Sequence, residues 1–325
     1  MDKTAALPRS LIKGGIPLML YGIVDLGANS IRLSIYRAEN SRVVPLISKK
    51  ETAGLSAYVV EGALSAKGID VACQVLAGFR TILTNFGVEE MHVFATASLR
   101  NITNTEEAVE KIYKSIGIRV DVLSGGDEAR LDYAGASHGA GIEDGILVDI
   151  GGGSTELTEF SKGTVISAAS MPVGSLNMYV KNAQTGLIPG KVGTRAIRAD
   201  VSVELDKLSF VCGEYPTIYG VGGTIRATAK LANAMFELAP GNREITYDHL
   251  RDILRLFRGS KRLALDSILR VAPERVHTLI PGMTILKTVA KRFGGNVVVV
   301  SGYGVREGYL YERVLGGKVD AGNAG

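Results

Sequence analysis

Two segments of this chain repeat one another: Gly22–Arg32 (GIVDLGANSIR) and Gly145–Glu156 (GILVDIGGGSTE). Each is a short apolar run that delivers an aspartate, Asp25 or Asp149, into a glycine turn ending in small hydroxyl residues. A run of this kind reads as a buried strand. One such turn can offer backbone N–H groups to an anion from one side only. A chain that makes the same unit twice is therefore constrained to two related lobes facing a cleft, and the cleft suits a phosphorylated ligand.

Length agrees, since 325 residues exceed one average domain and suit two α/β units of roughly 150 residues each. The 46% hydrophobic content can fill two cores. A net charge of +4 favours an anionic ligand but is far from the dense basic face of a nucleic-acid binder, so no nucleic-acid partner is expected. Two distant cysteines, Cys73 and Cys212, exclude a disulfide scaffold or a cysteine metal site and fit a reducing cytoplasm. The apolar stretch from Ile16 to Val24 is broken by Tyr21 and Gly22 and stopped by Asp25, about half the length of a membrane span, so no membrane partner is expected. Lys3, Arg9 and Lys13 precede it, but no cleavage site follows. The expected division is a tail at 1–17, a first domain at 18–132, a second at 133–310, and a closing helix with a flexible glycine-rich end at 311–325.

The pattern of elements restarts halfway. Strands are expected at Gly22–Val24, Ile31–Tyr36, Met91–Ala95 and Arg119–Leu123, with helices over Lys67–Phe86 and up to Ile116, the latter capped by Thr103 or Asn104. The second half repeats strand, glycine turn and strand at Ile146–Ile150 and Glu156–Phe160. Further strands follow at Gly163–Ala169, Thr217–Val221 and Asn296–Ser301, and Asp248–Phe257, Ser260–Leu269 and Pro273–Phe293 read as helices.

Several motifs carry chemistry. In the first turn the amides of Asn29 and Ser30 can meet a phosphate, and Arg32 can add a bidentate fork. In the second, the costly run Gly151–Gly153 implies close backbone approach, placing Gly152, Gly153, Ser154 and Thr155 against phosphate. Asp149 and Glu156 flank that run and can hold Mg²⁺, directly or through water. ATASLRN sets the hydroxyls of Thr96 and Ser98 beside Arg100 at a strand end, for a second phosphate contact or simply for capping. SGGDEAR places Asp127 and Glu128 in the first turn of a helix, where acids complement the dipole and where one, partly desolvated, can accept a proton from water. GVGGT at Gly220–Thr224 is a third glycine turn, without Walker A or dinucleotide spacing. GASHG at Gly135–Gly139 satisfies the nucleophile-elbow pattern, but no strand precedes Ser137, and the four histidines form no metal-spaced pair.

The motifs DLGANSIR, ATASLR, SGGDEAR, DIGGGSTE, MPVGS, GVGGT and GVREG follow in one order from about Tyr21 to Val314. In this the chain resembles the exopolyphosphatase and guanosine pentaphosphate phosphohydrolase family, within the superfamily of actin-like ATPases. The resemblance implies an α/β fold of two ribonuclease-H-like domains around a central cleft. It further implies a hydrolase that releases terminal orthophosphate from inorganic polyphosphate or guanosine pentaphosphate, with Mg²⁺ or Mn²⁺ in the cleft. Glu128 is similar to the family's catalytic base, Asp149 and Glu156 to its acidic metal pair, and Arg32, Arg100 and Arg275 to its phosphate-binding arginines. By analogy a homodimer is implied. Asp127 and Asn101 depart from the family pattern, and the spacer between Glu128 and Asp149 is slightly short; no proposed catalytic group is missing. Longer relatives carry C-terminal helical domains, including an HD-type domain, that a chain of this length is not expected to hold. The rival readings are an actin-like small-molecule kinase and a non-catalytic sensor of polyphosphate or an alarmone.

Overall fold

The computed structural model describes residues 19–39, 42–140, 142, 144–182, 186–210 and 214–316. The expected N-terminal tail, Cys212 and the glycine-rich end from 317 onward lie outside the described residues.

The first half opens with three antiparallel strands, β1 (Met19–Leu26), β2 (Ile31–Glu39) and β3 (Arg42–Glu51). A small hairpin, β4 (Val59–Val60) and β5 (Ala63–Leu64), leads into helix α1 (Ala66–Asn85). Strand β6 (Glu90–Ala95) then pairs parallel to β1. Two helices follow, α2 (Ala97–Arg100) and α3 (Thr105–Ile116), before β7 (Val120–Val122) and helix α4 (Gly125–Ala140). The sheet order is β3-β2-β1-β6-β7.

The second half repeats that order. Strands β8 (Gly145–Ile150), β9 (Thr155–Ser161) and β10 (Thr164–Met171) form the antiparallel meander. Helices α5 (Ser175–Asn182) and α6 (Lys191–Asp206) precede β11 (Thr217–Val221), which pairs parallel to β8. Helix α7 (Gly222–Met235), strand β12 (Glu244–Thr246) and helices α8 (Tyr247–Gly259), α9 (Lys261–Val271) and α10 (Leu279–Arg292) follow. Strand β13 (Val297–Val300) and helix α11 (Val305–Tyr309), continued by a wider turn to Leu315, close the chain. This sheet runs β10-β9-β8-β11-β13-β12, so β12 is the one strand of this sheet without a counterpart in the first sheet among the described residues.

Each sheet buries one face under its own helices. In the first half, Val24, Leu33, Ile69, Leu76, Phe79 and Ile112 meet between the sheet and α1 and α3. In the second, Val148, Ile197, Ile218, Ile225, Leu250 and Leu286 do the same beneath α6, α7, α8 and α10. The opposite faces are covered by α4 and α11, which cross at their backbones. A Cβ on Gly135 would lie 2.1 Å from the Gly304 carbonyl oxygen, and one on Gly308 would lie 1.9 Å from that of Leu131. The GASHG segment is thus a helix-crossing element, and Ser137 donates its hydroxyl to the Ala134 carbonyl at 3.0 Å within α4. Helix α4 runs through position 132/133, and the C-terminal residues Tyr309, Leu310 and Val314 pack with Tyr21, Tyr36 and Phe94 of the first sheet.

Some local expectations change. The helical segment expected over Pro273–Phe293 is broken into a single tight turn at Pro273–Arg275 and α10 from Leu279. Asn104 stands at the start of α3, but its side chain accepts from the Leu64 amide at 2.8 Å and donates to the Leu64 carbonyl, tying β5 to the helix instead of capping it.

Candidate active site

The duplicated segments occupy equivalent places. Asp25 lies opposite Arg32 across β1 and β2, and Asp149 lies opposite Glu156 across β8 and β9. Both turns close alike: the Gly27 amide donates to the Ser30 carbonyl at 3.2 Å, and the Gly151 amide to the Ser154 carbonyl at 3.0 Å. In each, neighbouring carbonyls are drawn back by another segment. Ala28 and Asn29 accept from the amides of Ser56 and Gly54, and Gly151 and Gly152 accept from those of Ser175, Leu176 and Asn177. The amides of Asn29, Gly152 and Gly153 have no protein acceptor among the described residues. Tying the oxygens away while leaving the N–H groups free is what an anion-binding nest requires.

A cleft of about 180 Å³ lies between the two turns. Asn29, Ser30, Arg32, Thr96, Gly152, Gly153, Ser154, Glu128, Asp149 and Arg275 line it, together with Asp25, Lys50, Arg226, Arg306 and Glu307. Thr96 starts α2 without making a side-chain cap, so its hydroxyl is not spent on the helix. A third wall is the start of α7. Gly222 has φ +90° and a Cβ there would lie 2.0 Å from Asp149 Oδ1, while a Cβ on Gly223 would lie 2.0 Å from Arg275 Nη2. A side chain at either position would displace the carboxylate or guanidinium it meets, and Gly222 also needs a backbone conformation that favours glycine.

Three expected contacts lie behind the cleft lining. The Ser98 hydroxyl donates to the Leu26 carbonyl, tying α2 to β1. Thr155 is fully buried and donates to the Val173 carbonyl at 2.5 Å. Arg100 is drawn to acids: Nη1 donates to Glu128 Oε2 at 2.6 Å and to the Leu123 carbonyl at 3.2 Å, and Nη2 lies 3.5 Å from Glu156 Oε1. In this structure Arg100 holds Glu128 rather than facing the open cleft. Its hydrogen bonds fix that carboxylate at the first turn of α4.

Glu128 is 7% exposed. Burial, and then the charge of Glu156, pushes its carboxyl well above the usual range, while Arg100 pulls in the opposite direction. Its Oε1 accepts no hydrogen bond from the described residues, leaving a lone pair for a ligand. One turn along α4, Asp132 is wholly buried; its Oδ1 accepts from the Val305 amide at 2.7 Å and its Oδ2 has no partner. Burial and then the charge of Asp149 raise this group well above its usual carboxylate range.

Asp149 is pushed up to about 7 by burial and then by Glu156. Glu156 is 1% exposed and its Oε1 accepts from Ser170 at 2.7 Å, which turns it from the cleft toward Arg100. No group of three or more potential metal-ligating His, Cys, Asp or Glu side chains occurs among the described residues. A preformed carboxylate cage is therefore not the arrangement here. Asp149 alone of the expected pair lines the cleft, and one carboxylate completed by water and substrate oxygens is the mode Mg²⁺ commonly uses.

The cationic side was only partly legible. Arg226 follows the third glycine turn, GVGGT, by two residues, Arg306 is the arginine of GVREG, and Lys50 is the penultimate residue of the unrecognised strand β3. Burial, then Arg306 and Arg226, lowers Arg32 to about 10, so these guanidiniums feel one another strongly. Among the described residues none of Arg32, Arg226 or Arg306 forms an ion pair with a carboxylate, and Arg275 reaches only Glu274, at 3.8 Å. Arg306 donates to Ser34 at 3.0 Å. Like charges assembled this closely are relieved by a multiply charged anion.

The Ppx/GppA phosphatase family model matches residues 34–316. A Haemophilus influenzae protein, provisionally named an exopolyphosphatase, is 28% identical over 297 residues, 89% of each chain. The crystal structure of the Aquifex aeolicus member of the Ppx/GppA family is 25% identical, with a TM-score of 0.77 over 93% of this chain and 99% of that one. A Cytophaga hutchinsonii exopolyphosphatase structure shares the fold at 22% identity, with a TM-score of 0.80 over 92% of this chain and 98% of its own.

Proposed function

Because the chain belongs to the Ppx/GppA phosphatase family, a family of two-domain actin-like fold, we propose that it is a phosphoanhydride hydrolase releasing terminal orthophosphate from inorganic polyphosphate. The observation that carries this reading is the pairing, in one cleft, of a buried carboxylate with a free oxygen, Glu128, and four arginines that lack strong carboxylate partners. The terminal phosphate is received by the amides of Asn29, Gly152 and Gly153 and by Arg32, Arg226, Arg275 and Arg306. Glu128 Oε1 accepts a proton from a water whose oxygen attacks the terminal phosphorus. The bond from that phosphorus to the bridging oxygen breaks, and the shortened chain leaves with the negative charge. Phosphoryl transfer of this kind needs positioning and charge stabilisation more than a covalent nucleophile. Arg100 keeps Glu128 oriented and opposes the rise that burial and Glu156 impose on it, which favours the base form.

Mg²⁺ or Mn²⁺ would be held by Asp149 together with substrate oxygens, and when bound it would neutralise charge developing on the phosphates. Burial raises Asp149 most, and the Glu156 carboxylate adds a repulsion that a cation there would relieve.

Polyphosphate is preferred over guanosine pentaphosphate because no aromatic ring lines the cleft among the described residues, which offer phosphate contacts but no stacking surface for a base. A cytoplasmic setting belongs to the same reading. No helix among the described residues is long and apolar enough to cross a membrane. The test is orthophosphate release from long-chain polyphosphate and, in parallel, from guanosine pentaphosphate, each with Mg²⁺ and with EDTA. Metal-dependent release from polyphosphate at the higher kcat/KM is expected; no release from either substrate by folded protein overturns the proposal.

A further inference from the structure

A second cavity, of about 880 Å³, lies between α6, α8 and α10 and shares no lining residue with the cleft. On α6, Lys191, Arg195 and Arg198 follow one another along one face at helical spacing. On α10, Lys287 and Lys291 continue the line from Arg198, with Arg258 and Lys261 closing the side from the junction of α8 and α9. Among the described residues none of these seven cations has a carboxylate partner; the only lining ion pair is Arg292 with Asp206, at 3.6 Å. Burial, and then Arg258, Arg198 and Lys291, lowers Lys287, so the charges act on one another across the cavity.

Its direction connects it to the cleft. Thr278, at the start of α10, lines the cleft, and Ile280, two residues on, lines the second cavity. His277 Nδ1 lies 3.0 Å from the Leu187 carbonyl oxygen, and Pro189, just beyond Leu187, also lines the second cavity. From that end α6 and α10 run side by side to the Asp206–Arg292 pair. Helix α6 has 16 residues, which makes the trough roughly 24 Å long at 1.5 Å per residue. The near mouth also holds Gly190, which begins α6 without a side-chain cap, so the positive end of that helix faces the same place. A line of cations without carboxylate partners among the described residues, running from Lys191, Arg195 and Arg198 on α6 to Lys287 and Lys291 on α10, matches a linear polyanion better than a compact nucleotide.

We propose that this trough is a second polyanion site, holding the downstream stretch of a polyphosphate chain whose terminal phosphate lies in the cleft. The proposal rests on the hydrolase reading and assigns the trough the role of a determinant of chain-length preference. Chains too short to leave the cleft would not sense it.

The test is the triple charge reversal Arg195→Glu, Arg198→Glu and Lys291→Glu, at three exposed positions outside the active cleft. Phosphate release is measured with polyphosphate of several hundred units, and tripolyphosphate is followed as a substrate or as a competitive inhibitor. The expected result is a KM for the long chain raised by about tenfold, with a flatter dependence on salt, while kcat and the constants for tripolyphosphate stay unchanged. A long-chain KM equal to wild type, or an equal change for both chains, overturns the trough and leaves the hydrolase reading standing. Should wild-type protein hydrolyse neither chain, the hydrolase reading fails. Filter retention of long-chain polyphosphate by wild type and by the triple variant then decides the trough: about tenfold weaker retention by the variant supports it, and equal retention overturns it.

Discussion

Asp149 gives the sharpest physical prediction. Its carboxyl is pushed from an ordinary 3.8 up to about 7 by burial and by the Glu156 charge. An acid raised on folding contributes stability that is fully present below its unfolded value and is lost as pH rises through its folded value. At 1.36 kcal/mol for each pH unit between the two values, a dry site would lose roughly 4 kcal/mol. Asp149 has one edge on the cleft solvent, and halving the figure for screening leaves roughly 2 kcal/mol. Asp149→Asn keeps the shape and cannot ionise, so it escapes this loss, and relief of its neighbours Glu128 and Asp132 acts in the same direction. Urea unfolding of both proteins in EDTA, at about pH 4.5 and about pH 8, should show stabilities within roughly 0.5 kcal/mol at the lower pH and a variant more stable by roughly 2 kcal/mol at the higher. Phosphate release should fall sharply in the same variant, the trade-off expected of a strained functional group. Equal stability at the higher pH, or the same difference at both, would refute the reasoning.

Three further changes probe other parts of the site. Gly223→Ala places a methyl 2.0 Å from Arg275 Nη2 and should expel that guanidinium, raising KM by about tenfold or more with a smaller effect on kcat; an unchanged KM in steady-state assays would exclude Arg275 from substrate binding. Arg100→Gln removes the cation 2.6 Å from Glu128, so the Glu128 pKa should rise and the acid limb of the kcat profile move to higher pH, with a loss of roughly 3 kcal/mol in stability. A pH profile that does not move would contradict the clamp. Tyr36→Phe takes away the donor 2.5 Å from Glu307 Oε1 and should lower unfolding free energy by about 1–3 kcal/mol. Urea titration checks this, and an unaltered midpoint would mean that Glu307 finds another donor.

Much of the architecture was legible because the chain states its repeat twice. The strand–Asp–glycine units at Asp25 and Asp149 marked the equivalent strands β1 and β8 and their turns. Strand β3 was not legible: it is an edge strand with Pro45 inside it and exposed Val44, Leu46 and Ile47, so burial imposes no alternation. Helix α6 was equally hidden, since Gly193 and several β-branched residues weaken its helical signature and tertiary contacts carry it. Within the site, residues attached to glycine turns could be read locally. Arg100 could not, because whether it meets substrate or Glu128 is decided by α4, which arrives from a later segment. Arg226 and Arg306 each had a signal, an arginine beside a motif turn, but only the fold brings them to Arg32. Asp132 carries no motif in the sequence that sets it apart, and its burial depends on the crossing of α4 with α11.

The central claim is that Glu128 activates water against a phosphate held in the cleft. Its most direct test is orthophosphate release from long-chain polyphosphate in Mg²⁺ by wild type and by Glu128→Ala, with polyphosphate binding measured on the same preparations. The account predicts a kcat lower by about 10²–10⁴-fold in the variant with binding largely retained. A variant that turns over at nearly the wild-type rate would contradict it.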